Sequence, residues 1–188
     1  MTRSLLALPL LALLPFAAAA QDNSALNYNY VEGGYVATDA DLIDADGFGL
    51  RGSIAVHPNW HVFADYTRQS IDEVDLDTDH FRLGGGYNHA IGENTDLLAR
   101  LAYERFDVDV AGADAVNGYS AEVGVRSAFG DYFEGYALAG YEDSKDFDGD
   151  FYGRIGAQVK FTDSWGVSGD VKVADGDTQW FIGPRFSW

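Results

Sequence analysis

The stretch Trp180-Phe181-Ile182-Gly183-Pro184-Arg185-Phe186-Ser187-Trp188 decides the predicted fold of this chain. Successive side chains of a β-strand point to opposite faces, so the aromatic and aliphatic residues at the even positions share one face, with Arg185 and Ser187 on the other. A strand with one lipid-facing and one polar face is typical of the closing strand of a bacterial outer-membrane barrel. We therefore predict a membrane barrel.

The same alternation recurs along the chain before this strand. We predict nine earlier strands at residues 26–37, 47–57, 60–70, 80–90, 96–107, 118–129, 133–141, 151–161 and 165–173. Joined as hairpins, they form an all-β, transmembrane, antiparallel up-and-down β-barrel of ten strands. The alternative is eight strands, if one predicted hairpin belongs to a loop.

The connections differ on the two sides of the predicted barrel. Tight turns at Pro58 and Gly130 alternate with longer segments rich in aspartate, for example residues 72–79 and 146–150. An even strand number puts both termini on one side, so we predict short periplasmic turns and acidic extracellular loops. A soluble lipocalin-like barrel would show the same alternation with its faces reversed. The closing strand and the aromatic residues near strand ends favour the membrane.

The N-terminus predicts export. Arg3 supplies the positive charge, residues 5–16 form a short apolar core, and Ala18-Ala19-Ala20 is a small-residue cleavage site. We predict a signal peptide at 1–20, cleaved near Ala20, and one barrel domain at 21–188. The predicted location is the outer membrane of a Gram-negative bacterium. Trp180, Ile182, Phe186 and Trp188 resemble the sorting signal of such barrels, which predicts the barrel assembly machinery as a partner.

Composition excludes several kinds of site. The chain has no cysteine, so disulfides, thiolate metal sites and cysteine nucleophiles are absent. Its net charge of −18 argues against a nucleic acid partner. The predicted partners are outer-membrane lipid and lipopolysaccharide, with a host or other cell-surface partner at the loops.

Inward-facing charges are the first candidate site. Tight turns predict that Arg51 lies opposite Asp65 and that Arg126 lies level with Glu134, while Arg154 lies diagonal to Asp170. Charges in a narrow interior must be paired, so we expect these residues to neutralise one another and to fill the lumen. An ion path through the barrel is the alternative.

Metal binding and catalysis receive little support. Closely spaced carboxylates with glycine make Asp44, Asp46, Asp146, Asp148 and Asp150 candidates for calcium, but the rest of an EF-hand pattern is missing. A solvated acidic loop is the favoured interpretation, and we predict no dedicated metal site. His80 lies near the outer end without a suitable serine or aspartate on its face, so we predict no catalytic residues and no cofactor.

Four runs resemble a known family: YNYVEGGY (28–35), TDLLAR (95–100), GYSAEVGVR (118–126) and GPRFSW (183–188). The chain resembles small outer-membrane proteins of xanthomonads and their relatives, once described as activators of plant immunity. The resemblance implies an outer-membrane barrel without catalytic residues; the roles proposed for that family are quorum sensing and immune elicitation.

Together these observations predict a non-enzymatic integral outer-membrane protein. Its role would be structural or would lie in surface interaction, including virulence or recognition of a host. The alternatives are a narrow pore for ions or small solutes and, less favoured, an outer-membrane hydrolase.

Overall fold

The computed structural model describes residues 26–40, 43–71, 76–109, 114–145 and 149–188. Ten antiparallel strands close into one barrel in which each strand pairs with its sequence neighbours and β1 pairs with β10. The strands are β1 (Tyr30–Ala40), β2 (Ile43–His57), β3 (Trp60–Ile71), β4 (Leu76–Ala90), β5 (Thr95–Val108), β6 (Val116–Phe129), β7 (Phe133–Ser144), β8 (Asp150–Lys160), β9 (Trp165–Ala174) and β10 (Asp177–Ser187). The predicted ten-stranded up-and-down barrel is confirmed, and the eight-stranded alternative is wrong.

The barrel has two ends, which we name by their connections. The turn end holds the connections 58–59, 91–94, 130–132 and 161–164 together with Trp188, and the loop end holds the other five connections. One loop-end connection is a two-residue turn, in which Asp175 and Gly176 have φ angles of 44° and 95°. Positive φ at both central residues fits the right-handed twist of the flanking strands, so this hairpin needs no long loop.

The strands reach further toward the loop end than the sequence pattern predicts. β2 begins at Ile43 rather than at Gly47, and β4 begins at Leu76 rather than at His80. Several carboxylates that were predicted in or beside connecting segments therefore lie within strands: Asp44, Asp46, Asp77, Asp79, Asp107 and Asp143. The loop end is thus a rim built largely of paired strands.

The first strand starts later than predicted. β1 begins at Tyr30, and Leu26, Tyr28 and Asn29 are buried before the strand begins. The alternation of residues 26–29 is typical of a strand, but this segment does not extend the sheet. Its side chains pack inside the barrel instead.

Burial is reversed relative to a soluble protein. Inward-facing Ser120 and Glu122 expose 1% and 4% of their surface, while outward-facing Leu101 and Ile155 expose 68% and 69%. Charged side chains are almost never fully buried unless they are paired, so the interior must satisfy them. None of the described residues forms a helix long and apolar enough to cross a membrane.

Two glycines let the barrel close. At the seam between β1 and β10, a Cβ on Gly34 would lie 2.2 Å from the Ile182 carbonyl oxygen, and one on Gly183 would lie 2.1 Å from that of Gly33. No other residue type fits there without moving the backbone, because real Cβ atoms do not approach carbonyl oxygens so closely.

Candidate functional site

The barrel interior holds a balanced set of charges. Among the described residues, eight cations form ion pairs on the inward face: Arg51, Arg82, Arg100, Arg126, Arg154, Lys160, Lys172 and Arg185. Their carboxylate partners number seven: Glu32, Asp65, Glu104, Glu122, Glu134, Glu142 and Asp170. An eighth inward carboxylate, the buried Asp96, accepts a hydrogen bond from Tyr28. These sixteen charges sum to zero, which is the condition under which ions persist in a low-dielectric interior.

Arg51 departs from its predicted partner. Arg51 and Asp65 are paired across β2 and β3, but the guanidinium contacts Asp170 of β9 and, at 3.8 Å, Glu32 of β1. Asp65 instead lies 3.4 Å from Arg82. Barrel closure explains the difference, since a long inward side chain reaches strands that are distant in sequence.

The other two predicted pairs lie within contact distance. Arg126 donates from Nε and Nη2 to Glu134 at 3.0 and 2.5 Å, although the two residues are diagonal rather than level in the register. Arg154 Nε lies 3.8 Å from Asp170 Oδ1, also on the diagonal.

Glu122 is the centre of the interior. It lies 2.8 Å from Arg100 and 3.6 Å from both Arg82 and Arg154, and it accepts a hydrogen bond from Tyr152 at 2.8 Å. Three strands, β4, β5 and β8, are thereby joined to β6 through one carboxylate. The sequence shows an inward glutamate here, but only the closed barrel identifies its partners.

The segment Leu26–Asn29, which we call the plug segment, fills the turn end. The ring of Tyr28 stacks on His61 with centroids 4.7 Å apart, and Arg126 lies 4.8 Å above its centroid. Leu26 and Tyr28 join an apolar cluster whose other buried members are Leu98, Ala128 and Leu138. Apolar and hydrogen-bonded contacts together hold the plug segment at this end of the lumen.

Glycines in β4 make room for inward aromatic rings. A Cβ on Gly84 would lie 2.5 Å from the Phe63 ring, and one on Gly86 would lie 2.2 Å from the His61 ring. Phe63 pairs with Gly84 and His61 with Gly86 across β3 and β4, and the missing side chains let both rings lie flat against the wall. The sequence-based interpretation of this glycine run as close packing is consistent with these contacts.

The loop end encloses an open cavity of about 180 Å³, which we call the cup. Lys172 and Glu142 form an ion pair at its mouth, and His80 stacks on Phe106 in its wall with ring centroids 3.8 Å apart. A smaller cavity of about 40 Å³ lies deeper in the lumen. Arg51, Asp65 and Arg154 line both cavities, so they form the floor of the cup.

Nothing in the described interior resembles a catalytic or metal centre. His80 Nε2 lies 3.1 Å from Glu104, a partner that the sequence did not reveal, but no described hydroxyl group contacts this imidazole. No group of three potential metal ligands occurs among the described residues. Asp44, Asp46 and Asp150 are exposed, and Asp146 and Asp148 lie outside the described residues.

Comparison with known proteins gives the family. The sequence profile of the outer membrane protein β-barrel domain matches residues 8–181. The chain belongs to this family. It is therefore an outer-membrane β-barrel protein. No curated protein matches the chain in a sequence search. The narrower resemblance to the xanthomonad proteins stays a prediction.

Solved structures with related folds include a KdgM porin, at 10% identity and a TM-score of 0.47, covering 85% of this chain and 99% of that one. The translocator domain of the autotransporter NalP from Neisseria meningitidis has 13% identity and a TM-score of 0.45, covering 87% and 89%. Neisserial surface protein A has 16% identity and a TM-score of 0.40, covering 85% and 95%.

Family membership assigns the exposed apolar face to lipid. Two aromatic belts bound this face, as in membrane barrels, where aromatic rings sit at both interfaces. The loop-end belt contains Tyr35, Phe48, Phe81, Tyr103, Tyr119, Phe151 and Trp180, and the turn-end belt contains Trp60, Tyr87, Phe129, Tyr132, Phe133, Phe161 and Trp165. The lumen described above therefore lies within the membrane band, and the loop-end rim lies beyond it.

The residues of the predicted assembly signal are distributed along β10. Trp180 and Ile182 are exposed on the lipid-facing side, while Phe186 packs against Trp165 and Trp188 with centroids 5.0 and 6.2 Å apart. The Trp188 carbonyl accepts a hydrogen bond from Asn27 Nδ2 at 3.0 Å. The last residue is thus bound to the plug segment, a contact that joins positions 161 residues apart and has no signal in the sequence pattern.

Proposed function

We propose that this outer-membrane barrel is closed and non-enzymatic, and that it acts at its loop end as a structural or surface-interaction protein. The observation that carries the proposal is the filled turn end. The plug segment packs there against residues from β3, β5, β6 and β7, and the ion-paired floor of the cup lies above it. A solute entering the cup meets both barriers.

The loop-end rim supports an external role. We infer that it faces outside, because the tight turns and Trp188 share the opposite end. On the lipid-facing side of this rim, Arg68 lies 2.6 Å from Asp77 and 3.4 Å from Asp79. Hydrogen bonds from Ser70 and Arg68 lower the pKa of Asp77, so this carboxylate stays ionised.

The partners we propose follow from this chemistry. Ionised carboxylates above the loop-end aromatic belt stand at the level of lipopolysaccharide phosphates, to which divalent cations would bridge them. A host or other cell-surface partner would meet the same rim and the loops beyond it.

Conductance of the refolded protein in planar bilayers tests the proposal. The wild-type chain should give no discrete conductance steps, and regular steps would overturn a closed barrel. The double variant Leu26→Ala, Tyr28→Ala removes the two buried apolar side chains of the plug segment. Steps in this variant alone would assign closure to the plug segment, and silence in both would assign it to the ion-paired layer.

A narrow pore is the second candidate, and one observation favours it. The side chains of Arg51, Asp65 and Arg154 line both the cup and the deeper cavity, and so lie between the two spaces. Movement of these long side chains would connect the two spaces. The same bilayer recording separates the candidates, since a pore conducts without any substitution.

A further inference from the structure

The floor of the cup brings together two opposite charges from opposite walls. Arg154 lies on β8 and Asp65 on β3, which are five strands apart in either direction around the ten-stranded ring. Both side chains line the cup and the cavity beneath it. They therefore point toward the barrel axis from opposite sides and face one space.

Arg154 is buried, and no hydrogen bond joins it to another described residue. It exposes 8% of its surface, yet its nearest carboxylate oxygens, on Glu122 and Asp170, are 3.6 and 3.8 Å away. Its Nε has no partner among the described residues. By contrast, Arg126 and Arg185 each donate hydrogen bonds to a buried carboxylate at 3.0 Å or less. A guanidinium has five donors, and leaving them unfilled in a buried site is unfavourable.

Asp65 has the complementary deficit. Within the described part of the chain, its one ionic contact is with Arg82 Nη1 at 3.4 Å, a long hydrogen bond. Its side chain is 17% exposed and lines the cup. A carboxylate offers about four acceptor sites, so most of its capacity is open. Among the other charges that line the cup, Lys172 pairs with Glu142 and Arg82 with Glu104, while the exposed Asp177 has no ion pair among the described residues.

We propose that the cup binds a small zwitterionic solute of the amino-acid class, with its carboxylate on Arg154 and its ammonium group on Asp65. A solute with one charge of each sign fills both deficits and keeps the interior neutral. A simple anion or cation would add an uncompensated charge to a buried site, which is strongly unfavourable. The cavity of about 180 Å³ has room for several water molecules, which is enough for a solute the size of glycine or alanine.

The inference rests on the proposed function in one respect, namely that the cup opens to the outside and is closed at its floor. Binding and conductance are separate measurements, so each can fail alone. Glycine binding by a barrel that conducts would leave this inference standing and remove the closed barrel. A barrel that neither conducts nor binds glycine would leave the closed barrel standing and remove this inference.

The first test uses the wild-type chain and three probes. Amide chemical shifts of the refolded, isotopically labelled protein in detergent micelles are followed during titration with glycine, acetate and methylammonium at constant ionic strength. Glycine should cause saturable shifts around Arg154 and Asp65, with acetate and methylammonium each binding at least about tenfold more weakly, as expected for losing one charged hydrogen-bonding group. Equal binding of acetate would show a simple anion site, and no saturable shift would show ordered water only; either result overturns the proposal.

The second test uses matched variants. Arg154→Gln and Asp65→Asn should each weaken glycine binding at least about tenfold. Arg68→Gln and Asp77→Asn make the same charge changes on the lipid-facing side of the rim and should leave binding unchanged. Folding of every variant is checked by the gel shift between unheated and boiled samples. If Arg154→Gln fails to fold, Asp65→Asn and the three-probe series still decide, and unchanged affinity in Asp65→Asn overturns the assignment.

Discussion

Inward-facing glutamates are buried to different extents at the two ends of the lumen. Glu134 and Glu142 both face inward on β7, and each pairs with a lysine of a neighbouring wall. The side chain of Glu134, at the turn end, is 3% exposed, and that of Glu142, at the mouth of the cup, is 27% exposed. The alternation of β7 is identical at both places, so the difference comes from what covers each end.

The plug segment covers the turn end, and nothing in the described residues covers the loop end in the same way. Tyr28 contacts Asp96, His61 and Arg126, and it completes the apolar cluster that contains Leu98. The cup retains a cavity and an unfilled arginine. Among the described residues, the turn end is therefore packed by an apolar cluster, whereas the loop end retains a cavity.

Glutamate removal should give the largest contrast between the halves. We expect Glu134→Gln to cost about 3–5 kcal/mol of folding free energy, because it leaves the buried Arg126 and the partly exposed Lys160 beside a neutral amide. Glu142→Gln, which leaves the partly exposed Lys172, should cost about 1 kcal/mol or less. Urea unfolding in liposomes measures both. Equal losses would mean that the plug segment does not shield the turn end.

Truncation of apolar side chains on β5 should give a smaller contrast in the same direction. Leu98 is 4% exposed within the turn-end cluster, so Leu98→Ala should cost about 2–5 kcal/mol through the lost burial and the cavity left behind. Phe106 is 39% exposed and stacks on His80 in the cup wall, so Phe106→Ala should cost about 1 kcal/mol. The same unfolding experiment applies. A larger loss at Phe106 would show that the cup is packed more tightly than its cavity indicates.

Deletion of Trp188 tests the turn-end rim itself. The deletion removes the hydrogen bond from Asn27 and the packing against Phe186, and should cost about 1–3 kcal/mol in detergent. In cells we expect a sharper fall in outer-membrane levels, since the final strand must be recognised before the barrel closes. The heat-modifiable gel band reads out both. Equal failure in detergent and in cells would make Trp188 a structural residue and remove its proposed role in targeting.

The fourth prediction concerns the orientation of the barrel in the membrane and not its stability. Protease added to intact cells should cut the loop-end segments 72–79 or 146–150 and spare the turns at Pro58 and Gly130, because exposed polar tips are preferred cleavage sites. Cells with permeabilised outer membranes provide the control for turn-end cleavage. Cutting at the turns alone in intact cells would place the cup on the periplasmic side.

The local sequence pattern was sufficient to predict which face of the barrel wall each side chain occupies. A strand places alternate residues on opposite faces, so Trp180 and Ile182 could be assigned outward and Arg185 inward from their spacing alone. Pairing across adjacent strands could be approached in the same way, and Arg126 and Glu134 do lie in contact. These relations are short-range in sequence, and hairpin geometry nearly fixes them.

Only the closed tertiary structure decided the interior. Arg51 meets Asp170 across 119 residues and Glu32 meets Arg185 across 153, contacts that depend on the register with which β10 closes on β1. Leu26 and Tyr28 alternate like strand residues, yet they lie inside the barrel, because they pack there into a buried apolar cluster. The sequence by itself determined which side chains enter the barrel; closure determined which of them find partners and which, like Arg154, are left facing a cavity.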